Sequence, residues 1–572
     1  MREFKRPTIF TLVFIVLEVF LEVLIPYFTA DLVNSIKAGV PVTELLGNGV
    51  ILVVMAILSL GCGAGAAYTG SKASTGFARN LRHDMFEKIQ GFSFENIDRF
   101  SSASLVTRTT TDVSNVQMAF MMLTRIAIRA PLMFIFSVTM AAIMGGKLAL
   151  SFVIVVPVLV FGLLYIGKKA LPAFRAVFRK YDKMNGSIEE NVRAMRVVKG
   201  FSREDFEKEK FGKASMDICA DFTRAERIIA LNSPLMQFCL YFNMIFVLTV
   251  GSMLIVKYRG SFIDVGQLSA MLTYGMQILM SLMMISVVYV MLTMSAEAGR
   301  RICEVLDEET TLFDPENPVT EVKDGSIDFD NVSFKYSKAA QKNALSDIDL
   351  HIPSGTTVGI LGGTGSSKTT LIQLIPRLYD VTEGSVRVGG VDVRDYSMDA
   401  LRGEVAVVLQ KNLLFSGTIK DNLRWGDPTA TDEEMIEACK RAQAHEFIMS
   451  FPEGYDTHIE QGGTNVSGGQ KQRLCIARAL LKKPKVLILD DSTSAVDTHT
   501  DALIRAGLRS YIPETTKIII AQRVQSVMDA DVILIMDNGR IVDQGTHDEL
   551  LAHCDIYQEI YSQQMGGADD GR

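Results

Sequence analysis

Residues 357–374 read TVGILGGTGSSKTTLIQL, and this stretch decides the fold of the C-terminal half of the chain. A buried-strand pattern over Thr357–Leu361 leads into a glycine-rich run that ends in Lys-Thr, and a helical pattern begins at Thr370. This is the order of a P-loop, whose backbone N–H groups and helix N-terminus cradle phosphates. The residues predicted to bind a nucleotide here are Gly362, Gly363, Thr364, Gly365, Ser366, Ser367, Lys368, Thr369 and Thr370.

Two side chains of this loop have predicted roles, and one position departs from the motif. Lys368 is expected to reach the β- and γ-phosphates, and the Thr369 hydroxyl is expected to bind magnesium. Ser367 stands where the motif has its second glycine. A side chain is tolerated at that position if the backbone has already adopted helical angles.

Another buried-strand pattern, Val486–Leu489, ends in two acidic residues, Asp490 and Asp491. An aspartate at the end of such a strand is where a P-loop enzyme positions its magnesium ion. Two carboxylates at a strand end also fit a solvated terminus, but the spacing from the P-loop fits an ATPase. Asp490 is therefore the predicted magnesium ligand.

Between the two strands lies VSGGQKQR, residues 466–473. Together with the P-loop and the strand-end aspartates, this run closely resembles the ATP-binding cassette (ABC) transporters of the exporter type, over essentially the whole chain. The resemblance implies ATP and Mg²⁺ as cofactors and ATP hydrolysis coupled to transport. It also implies that Ser467, Gly468, Gly469 and Gln470 contact the γ-phosphate of ATP held by a second subunit. A serine hydroxyl and glycine amides at a helix start form an anion site, which is useful only when another P-loop faces it, so we expect a dimer.

Three further positions take their roles from the resemblance. Tyr336 looks like the aromatic residue that stacks on adenine. Gln410 resembles the glutamine that links magnesium to the membrane domain, so it counts with both the catalytic positions and the metal ligands. Asp497, at the end of Ser494–Asp497, matches the loop that crosses the dimer interface.

The sequence departs from hydrolysing members of the family at three positions. Asp491 stands in place of a glutamate, Gln522 in place of a histidine, and Gln461 in place of the usual glutamate before the Ser-Gly-Gly-Gln run. Glutamine cannot become a cation or exchange a proton as imidazole does. Because general-base catalysis contributes roughly 10²–10⁴-fold, Asp491 and Gln522 predict a degenerate catalytic site that binds ATP and hydrolyses it slowly.

The intact Ser467–Gln470 run favours a heterodimer, in which a second half-transporter supplies the glutamate and histidine. This pattern is similar to the degenerate-site subunit of heterodimeric bacterial multidrug exporters. The alternatives are a slow homodimeric exporter, an importer that shares the exporter fold, and an ATP-gated channel or regulator.

The N-terminal half contains six apolar stretches, each about as long as a bilayer is thick. They are Thr8–Ala30, Leu46–Tyr68, Ala127–Met144, Leu148–Ile166, Pro234–Val256 and Leu268–Met291. The second-to-third and fourth-to-fifth connections are rich in Lys and Arg, which places them, both termini and the ATPase domain on the cytoplasmic side of the cell membrane. Helical spacing continues through both connections, so the helices should extend far below the bilayer. The expected far turns, Ser93–Phe100 and Gly200–Phe206, combine aromatic and charged residues and suit docking onto another domain.

The predicted architecture is a multidomain chain: a six-span α-helical membrane domain with long cytoplasmic helix extensions, and an α/β P-loop ATPase domain. The expected boundaries are residues 1–305 for the membrane domain, 306–325 for an acidic, proline-containing linker, and 326–572 for the ATPase domain. Hydrophobic residues make up 48% of the chain and charged residues 22%, a mixture that suits one membrane part and one soluble part. The net charge of −7 argues against nucleic acid as a partner.

Two features of the membrane half bear on the transported molecule. Glu18 and Glu22 lie one helical turn apart in the first span, which suggests either recognition of a cationic substrate or an interhelical contact near Pro26. In the sixth span, Met276, Met280 and Met283 follow helical spacing. Flexible methionine side chains suit a cavity for small apolar or amphipathic substrates, although core packing explains them nearly as well.

Overall fold

The computed structural model describes residues 2–258, 262–337, 340–492 and 494–565. The chain forms two compact units. The first consists of Met1–Gly91 and Ser101–Glu308, and the second of Phe92–Phe100 and Glu309–Arg572. The second unit therefore takes nine residues from the middle of the helical half of the chain.

The described part of the first 308 residues is helical almost throughout. A 3₁₀ turn occupies Gly146–Ala149, and a π-helical turn occupies Arg108–Asp112. In chain order the α-helices are α1 (Lys5–Lys37), α2 (Val42–Gln90), α3 (Phe94–Phe100), α4 (Ser102–Thr107), α5 (Val113–Gly145), α6 (Leu150–Arg193), α7 (Met195–Gly200), α8 (Glu204–Ala230), α9 (Asn232–Tyr258) and α10 (Val265–Asp307). Helix α3 belongs to the second unit, and the other nine belong to the first.

The six predicted apolar stretches all lie in helices. Among the described residues, five helical stretches are long and apolar enough to cross a membrane, and one of them, Ser102–Phe174, contains α5 and the first part of α6. Only the start of the fourth predicted stretch differs, because Leu148 lies in the 3₁₀ turn before α6. Many apolar side chains on these helices face outward, such as Leu60 and Phe161, which are 73% and 72% exposed. A lipid environment accounts for such a surface.

The long basic connections are helical, as predicted. Helix α2 has 49 residues, so it is about 74 Å long, more than twice the thickness of the hydrocarbon core of a bilayer. Helix α2 ends at Gln90, three residues before the first expected turn, and the short helix α3 occupies most of Ser93–Phe100. The second lies between Gly200, where α7 ends, and Glu204, where α8 begins.

Glu18 and Glu22 of α1 both pair with one guanidinium of α5. Arg129 lies 3.2 Å from Glu18 Oε1 and 2.7 Å from Glu22 Oε1. Pro26 lacks the N–H that would bond to the carbonyl of Glu22, and Gln277 Nε2 of α10 donates to that carbonyl at 3.4 Å. These contacts join three helices and fit the hypothesis of an interhelical role. A cationic substrate would have to displace Arg129.

The second unit contains two larger sheets and a short two-stranded one. Its strands are β1 (Ile327–Phe334), β2 (Leu345–Ile352), β3 (Thr357–Gly362), β4 (Glu383–Val388), β5 (Val391–Asp392), β6 (Val405–Val408), β7 (Gly417–Thr418), β8 (His458–Ile459), β9 (Val486–Asp490), β10 (Thr516–Ile520), β11 (Val532–Asp537) and β12 (Arg540–Gly545). Its remaining helices are α11 (Lys368–Leu374), α12 (Met398–Glu404), α13 (Ile419–Arg424), α14 (Asp432–Arg441), α15 (His445–Met449), α16 (Gly468–Leu481), α17 (Thr498–Tyr511), α18 (His547–His553) and α19 (Asp555–Met565).

A six-stranded sheet in the order β12-β11-β3-β10-β9-β6 forms the centre of this unit. All its neighbouring strands are parallel except the edge pair β11–β12. Alternate residues of β9 enter two different hydrophobic cores, Leu487 and Leu489 on one face and Val486 and Ile488 on the other. Burial on both faces explains why β9 and β10 are apolar almost throughout.

This topology brings the predicted chemical groups to one edge. Strands β3, β10 and β9 are adjacent and parallel, so their carboxyl ends meet. The P-loop follows β3, Asp490 ends β9, and Gln522 follows β10. Ligands of open parallel sheets bind outside these ends.

Candidate functional site

The P-loop joins β3 to α11, and Lys368 folds back over it. Its Nζ donates to the carbonyl oxygens of Gly362 and Gly363 at 2.8 Å each, and to Ser366 Oγ at 3.2 Å. Burial lowers the pKa of the Lys368 ammonium, while Asp490 and Asp491 oppose that shift. The ammonium is therefore held at the loop by exchangeable hydrogen bonds, which phosphate oxygens can replace.

Ser367 does not have helical backbone angles. It caps the N-terminus of α11 with φ +70° and ψ +24°, which is the left-handed region. A side chain in this region costs roughly 1–2 kcal/mol, whereas glycine adopts it freely. The condition under which a side chain is tolerated at this position is therefore not met, and the backbone geometry favours the second glycine of the motif.

We expect Ser367→Gly to raise the free energy of unfolding of the second unit, called the ATPase unit below, by about 1 kcal/mol, because it removes the side chain from a left-handed residue. The measurement is the thermal midpoint of the purified full chain without nucleotide. Ser450→Gly is the matched control, since Ser450 is exposed with φ −77°, and glycine there should be neutral or destabilising. A lower midpoint for Ser367→Gly than for wild type would contradict this account.

Thr369 and Asp490 form a pair of oxygen donors beside the loop. Thr369 Oγ1 donates to Asp490 Oδ2 at 3.0 Å. Burial raises the pKa of Asp490, and the hydrogen bond from Thr369 opposes that shift. A hydroxyl and a carboxylate, with the amide oxygen of the nearby Gln410, are hard ligands of the kind that Mg²⁺ prefers. The residues present therefore fit a magnesium ion.

Asp491 is held by two amide side chains. Gln522 Nε2 donates to Asp491 Oδ2 at 2.8 Å, and Gln410 Nε2 donates to the same oxygen at 3.4 Å. Burial raises the pKa of Asp491, while these two donors lower it. The residue has φ +48°, again in the left-handed region. Asp491 thus has a shorter side chain than glutamate and a strained backbone. Its carboxylate is hydrogen-bonded to amide groups, which do not exchange protons as a base does.

The Ser-Gly-Gly-Gln run forms the start of α16. Ser467 Oγ accepts from the backbone N–H of Gln470 at 3.3 Å, and Gln470 Oε1 accepts from the backbone N–H of Ser467 at 2.8 Å, which is a capping box. Gly468 and Gly469 occupy the first turn, where helical N–H groups point outward and favour an anion. A Cβ on Gly469 would lie 2.9 Å from the carbonyl oxygen of Ala495, so the position requires glycine.

The loop before α17 packs against α16. Gln472 Nε2 donates to Ser494 Oγ at 3.3 Å, and Gln472 Oε1 accepts from the N–H of Ala495 at 3.0 Å. Ser494 Oγ also donates to the carbonyl oxygen of Asp491 at 3.0 Å. Asp497 caps α17 by accepting from the N–H of Thr500 at 2.9 Å. The loop therefore connects α16 to the end of β9 beside Asp491.

Tyr336, just after β1, stands beside the P-loop helix. Its hydroxyl lies 2.8 Å from Thr370 Oγ1. Its ring packs edge-on against Phe334 and Tyr379, with centroid distances of 4.9 and 5.3 Å. The side chain remains 45% exposed, so ring surface is available for a base to stack on.

Comparison with known proteins agrees with this geometry. The family description "ABC transporter transmembrane region" matches residues 8–282, and "ABC transporter" matches residues 345–494. The chain is 36% identical to YfiB, an uncharacterised ABC transporter ATP-binding protein of Bacillus subtilis (strain 168), over 91% of this chain and 89% of the relative. This chain belongs to the ABC transporter family.

One further sequence relative and one solved structure resemble this ABC transporter. A putative multidrug export ATP-binding/permease protein of Staphylococcus aureus is 38% identical over 66% of this chain and 65% of the relative. The structure of a bacterial Atm1-family ABC exporter with ATP bound aligns with a TM-score of 0.83 and 23% identity over 99% of both chains. The protein thus has the exporter-type fold, with membrane and ATPase regions fused in one multi-pass chain, and it couples ATP hydrolysis to transport.

In this ABC transporter the first predicted turn packs with the ATPase unit. Asn96 Nδ2 donates to the carbonyl oxygen of Glu309 at 3.1 Å, and the hydroxyls of Ser93 and Thr311 lie 3.1 Å apart. The Tyr379 hydroxyl donates to Asp98 Oδ2 at 2.7 Å. Tyr379 therefore contacts both the predicted adenine-stacking residue and α3. Sequence reasoning missed it, because a lone tyrosine after a helix carries no motif.

Proposed function

We propose that this chain is one half of a heterodimeric exporter: it binds ATP tightly, hydrolyses it slowly, and completes the active site of a different half-transporter. The observation that carries the proposal is the state of Asp491. At the position of the expected general base stands a shorter carboxylate that accepts from Gln522 at 2.8 Å and from Gln410 at 3.4 Å.

Contacts around the P-loop support the proposed nucleotide-binding roles. Tyr336 would stack on adenine, residues 362–370 would hold the phosphates, and Thr369, Asp490 and Gln410 would bind Mg²⁺. Bound magnesium would neutralise charge on the β- and γ-phosphates. The contacts of Tyr336 with Thr370, of Lys368 with the loop and of Thr369 with Asp490 support these roles. The chain therefore has a residue for each contact that ATP binding at this site is expected to need.

Proton transfer from the attacking water is the step for which the chain is poorly equipped. A general base must be able to take that proton and reach the water. Asp491 is one methylene shorter than glutamate, and Gln522 offers it an amide where hydrolysing relatives have an imidazole. A partner with glutamate and histidine at these positions would hydrolyse ATP in its own P-loop, with Ser467–Gln470 and Asp497 of this chain facing it.

The second predicted turn supports a partner subunit. Phe201 and Phe206 at this turn are 76% and 58% exposed. Large exposed aromatic side chains next to charged residues are typical of an interaction site. We propose that they dock onto the ATPase unit of the other half-transporter.

The basic connections support a cell-membrane protein with both termini and the ATPase unit in the cytoplasm.

The proposed substrates are small apolar or amphipathic molecules. The putative multidrug export function in the name of the Staphylococcus aureus relative supports this class. The methionine-lined cavity of the helical unit, described below, supports it independently.

Measuring ATP turnover of the purified full chain in nanodiscs tests the division of labour. We expect turnover at least about 10²-fold slower than that of the chain assembled with a half-transporter carrying the glutamate and histidine, while ATP affinity stays normal. Lys368→Ala, which removes the phosphate-binding ammonium, is the control for contaminating ATPase. Brisk turnover of the chain alone would refute the degenerate site and the need for a partner.

A further inference from the structure

A cavity of about 560 Å³ lies between α1, α5 and α10 in the helical unit. This volume is in the range of sites for drug-sized molecules. Its apolar lining is dominated by methionines: Met121, Met122, Met133, Met276, Met280 and Met284. Two of the three methionines noted for their helical spacing, Met276 and Met280, line the cavity. Met284 lines the cavity, whereas Met283 packs into a core with residues of α6 and α9.

The charged residues in the cavity wall are Glu18, Arg125 and Arg129. Arg129 is engaged with both Glu18 and Glu22, so the two carboxylates already have a cation. Arg125 lies one helical turn earlier on α5, and it forms no hydrogen bond or ion pair with any residue that the structure describes. The stem of Arg125 passes Gly70 of α2. With Glu22 included, two guanidiniums and two carboxylates meet here, and Arg125 is the guanidinium without a carboxylate at ion-pair distance among the described residues.

The position of Arg125 suits one end of an amphipathic ligand. It lies 20 residues before Gly145, the end of α5, which corresponds to about 30 Å along the helix. That distance is about the thickness of the hydrocarbon core. In the proposed orientation Arg125 therefore stands near the cytoplasmic border of the core, and methionines such as Met133 and Met280 lie deeper.

We infer that this cavity binds amphipathic organic anions, with a carboxylate, sulfonate or phosphate on Arg125 and the apolar body against the methionines. The guanidinium fork matches such groups with two hydrogen bonds. A cation would instead have to compete with Arg129 for Glu18. The inference rests on the proposed export function only in treating the ligand as a transported substrate. An anionic lipid headgroup has the same chemistry and is the other source of such a ligand.

A matched pair of fluorescent probes tests the inference. 1-Anilinonaphthalene-8-sulfonate and N-phenyl-1-naphthylamine share one aromatic scaffold, and only the first carries a sulfonate. Each is titrated into the full chain in phosphatidylcholine nanodiscs, with empty nanodiscs subtracted. We expect Arg125→Gln to weaken binding of the sulfonate by about 10- to 100-fold and to change binding of the neutral probe by less than about twofold. Arg125→Lys should recover part of the loss, since it keeps the charge without the fork.

The control is Arg6→Gln, which removes an exposed positive charge of the same unit outside the cavity. Unchanged sulfonate binding in Arg125→Gln, equal weakening of both probes, or equal weakening of the sulfonate by Arg6→Gln would each overturn the inference. In nanodiscs containing phosphatidylglycerol, weaker sulfonate binding to wild type but not to Arg125→Gln would identify lipid as the natural occupant. An unchanged affinity there would favour a soluble organic anion.

The outcome is separable from that of the proposed function. The binding assay contains neither ATP nor a partner subunit. Brisk ATP turnover of the chain alone would refute the degenerate site and leave the anion result standing. Loss of the selective effect of Arg125→Gln would refute the anion site and leave the division of labour standing.

Discussion

Replacing Asp491 with glutamate and Gln522 with histidine together is expected to raise the ATP turnover of the chain by roughly 10²-fold or more. Glutamate places its carboxylate one methylene further from the strained backbone at φ +48°. Histidine replaces the amide that now donates to Asp491 at 2.8 Å with a group that can exchange a proton. The measurement is phosphate release by the full chain in nanodiscs at saturating Mg-ATP.

The two single variants show whether the positions act as a unit. Because the carboxylate and residue 522 are in direct contact, we expect the double variant to exceed the product of the singles. Asp490→Asn in the double-variant background is the control, and it should abolish the gain by removing the predicted magnesium ligand. An unchanged rate in preparations where two copies of the chain associate and bind ATP would contradict the degenerate-site proposal.

Arg129→Gln is expected to destabilise the helical unit by about 3 kcal/mol. Arg129 is the cation paired with both Glu18 and Glu22, and an uncompensated carboxylate in a membrane-spanning segment costs on the order of 2.5–3.5 kcal/mol. A change of this size corresponds to a fall in thermal midpoint of roughly 5–10 °C. The measurement is thermal unfolding of the full chain in detergent or nanodiscs.

The chain offers a close control for this effect. Arg125→Gln removes the same charge one helical turn away, where no described residue pairs with it, and should leave the midpoint nearly unchanged. The triple variant Glu18→Gln, Glu22→Gln and Arg129→Gln should recover most of the loss, since no charge is left without a partner. Equal effects of Arg129→Gln and Arg125→Gln would contradict the account of the pair.

The architecture was predictable because its signals are local and repeated. Each apolar stretch is long enough to be read alone, and helical spacing continues through the basic connections. The P-loop, Asp490 and Ser467–Gln470 could be predicted because each belongs to a short motif of neighbouring residues. The expected turn at Ser93–Phe100 lies close to the observed break, since α2 ends at Gln90, but the sequence did not indicate that α3 occupies most of it.

The remaining features depend on contacts between distant parts of the chain. Arg129 lies within a predicted span, and nothing near it in sequence reveals that it pairs with α1. Tyr379 acquires its importance only when Tyr336 and Asp98 pack on either side of it. The left-handed angles of Ser367 follow from the loop geometry, so a substitution for glycine could not be interpreted correctly without the backbone.

The chain passes between its two compact units three times, after Gly91, Phe100 and Glu308. A single protease cut beyond α10 would therefore leave Phe92–Phe100 attached to the membrane-spanning piece. A recombinant ATPase fragment that starts at residue 326 would lack α3 and also Glu309, to which Asn96 of α3 donates. In that fragment Tyr379 would lose its hydrogen bond to Asp98. Expressing the two halves of this transporter separately would consequently expose the surface around Tyr379 that α3 covers in the whole chain.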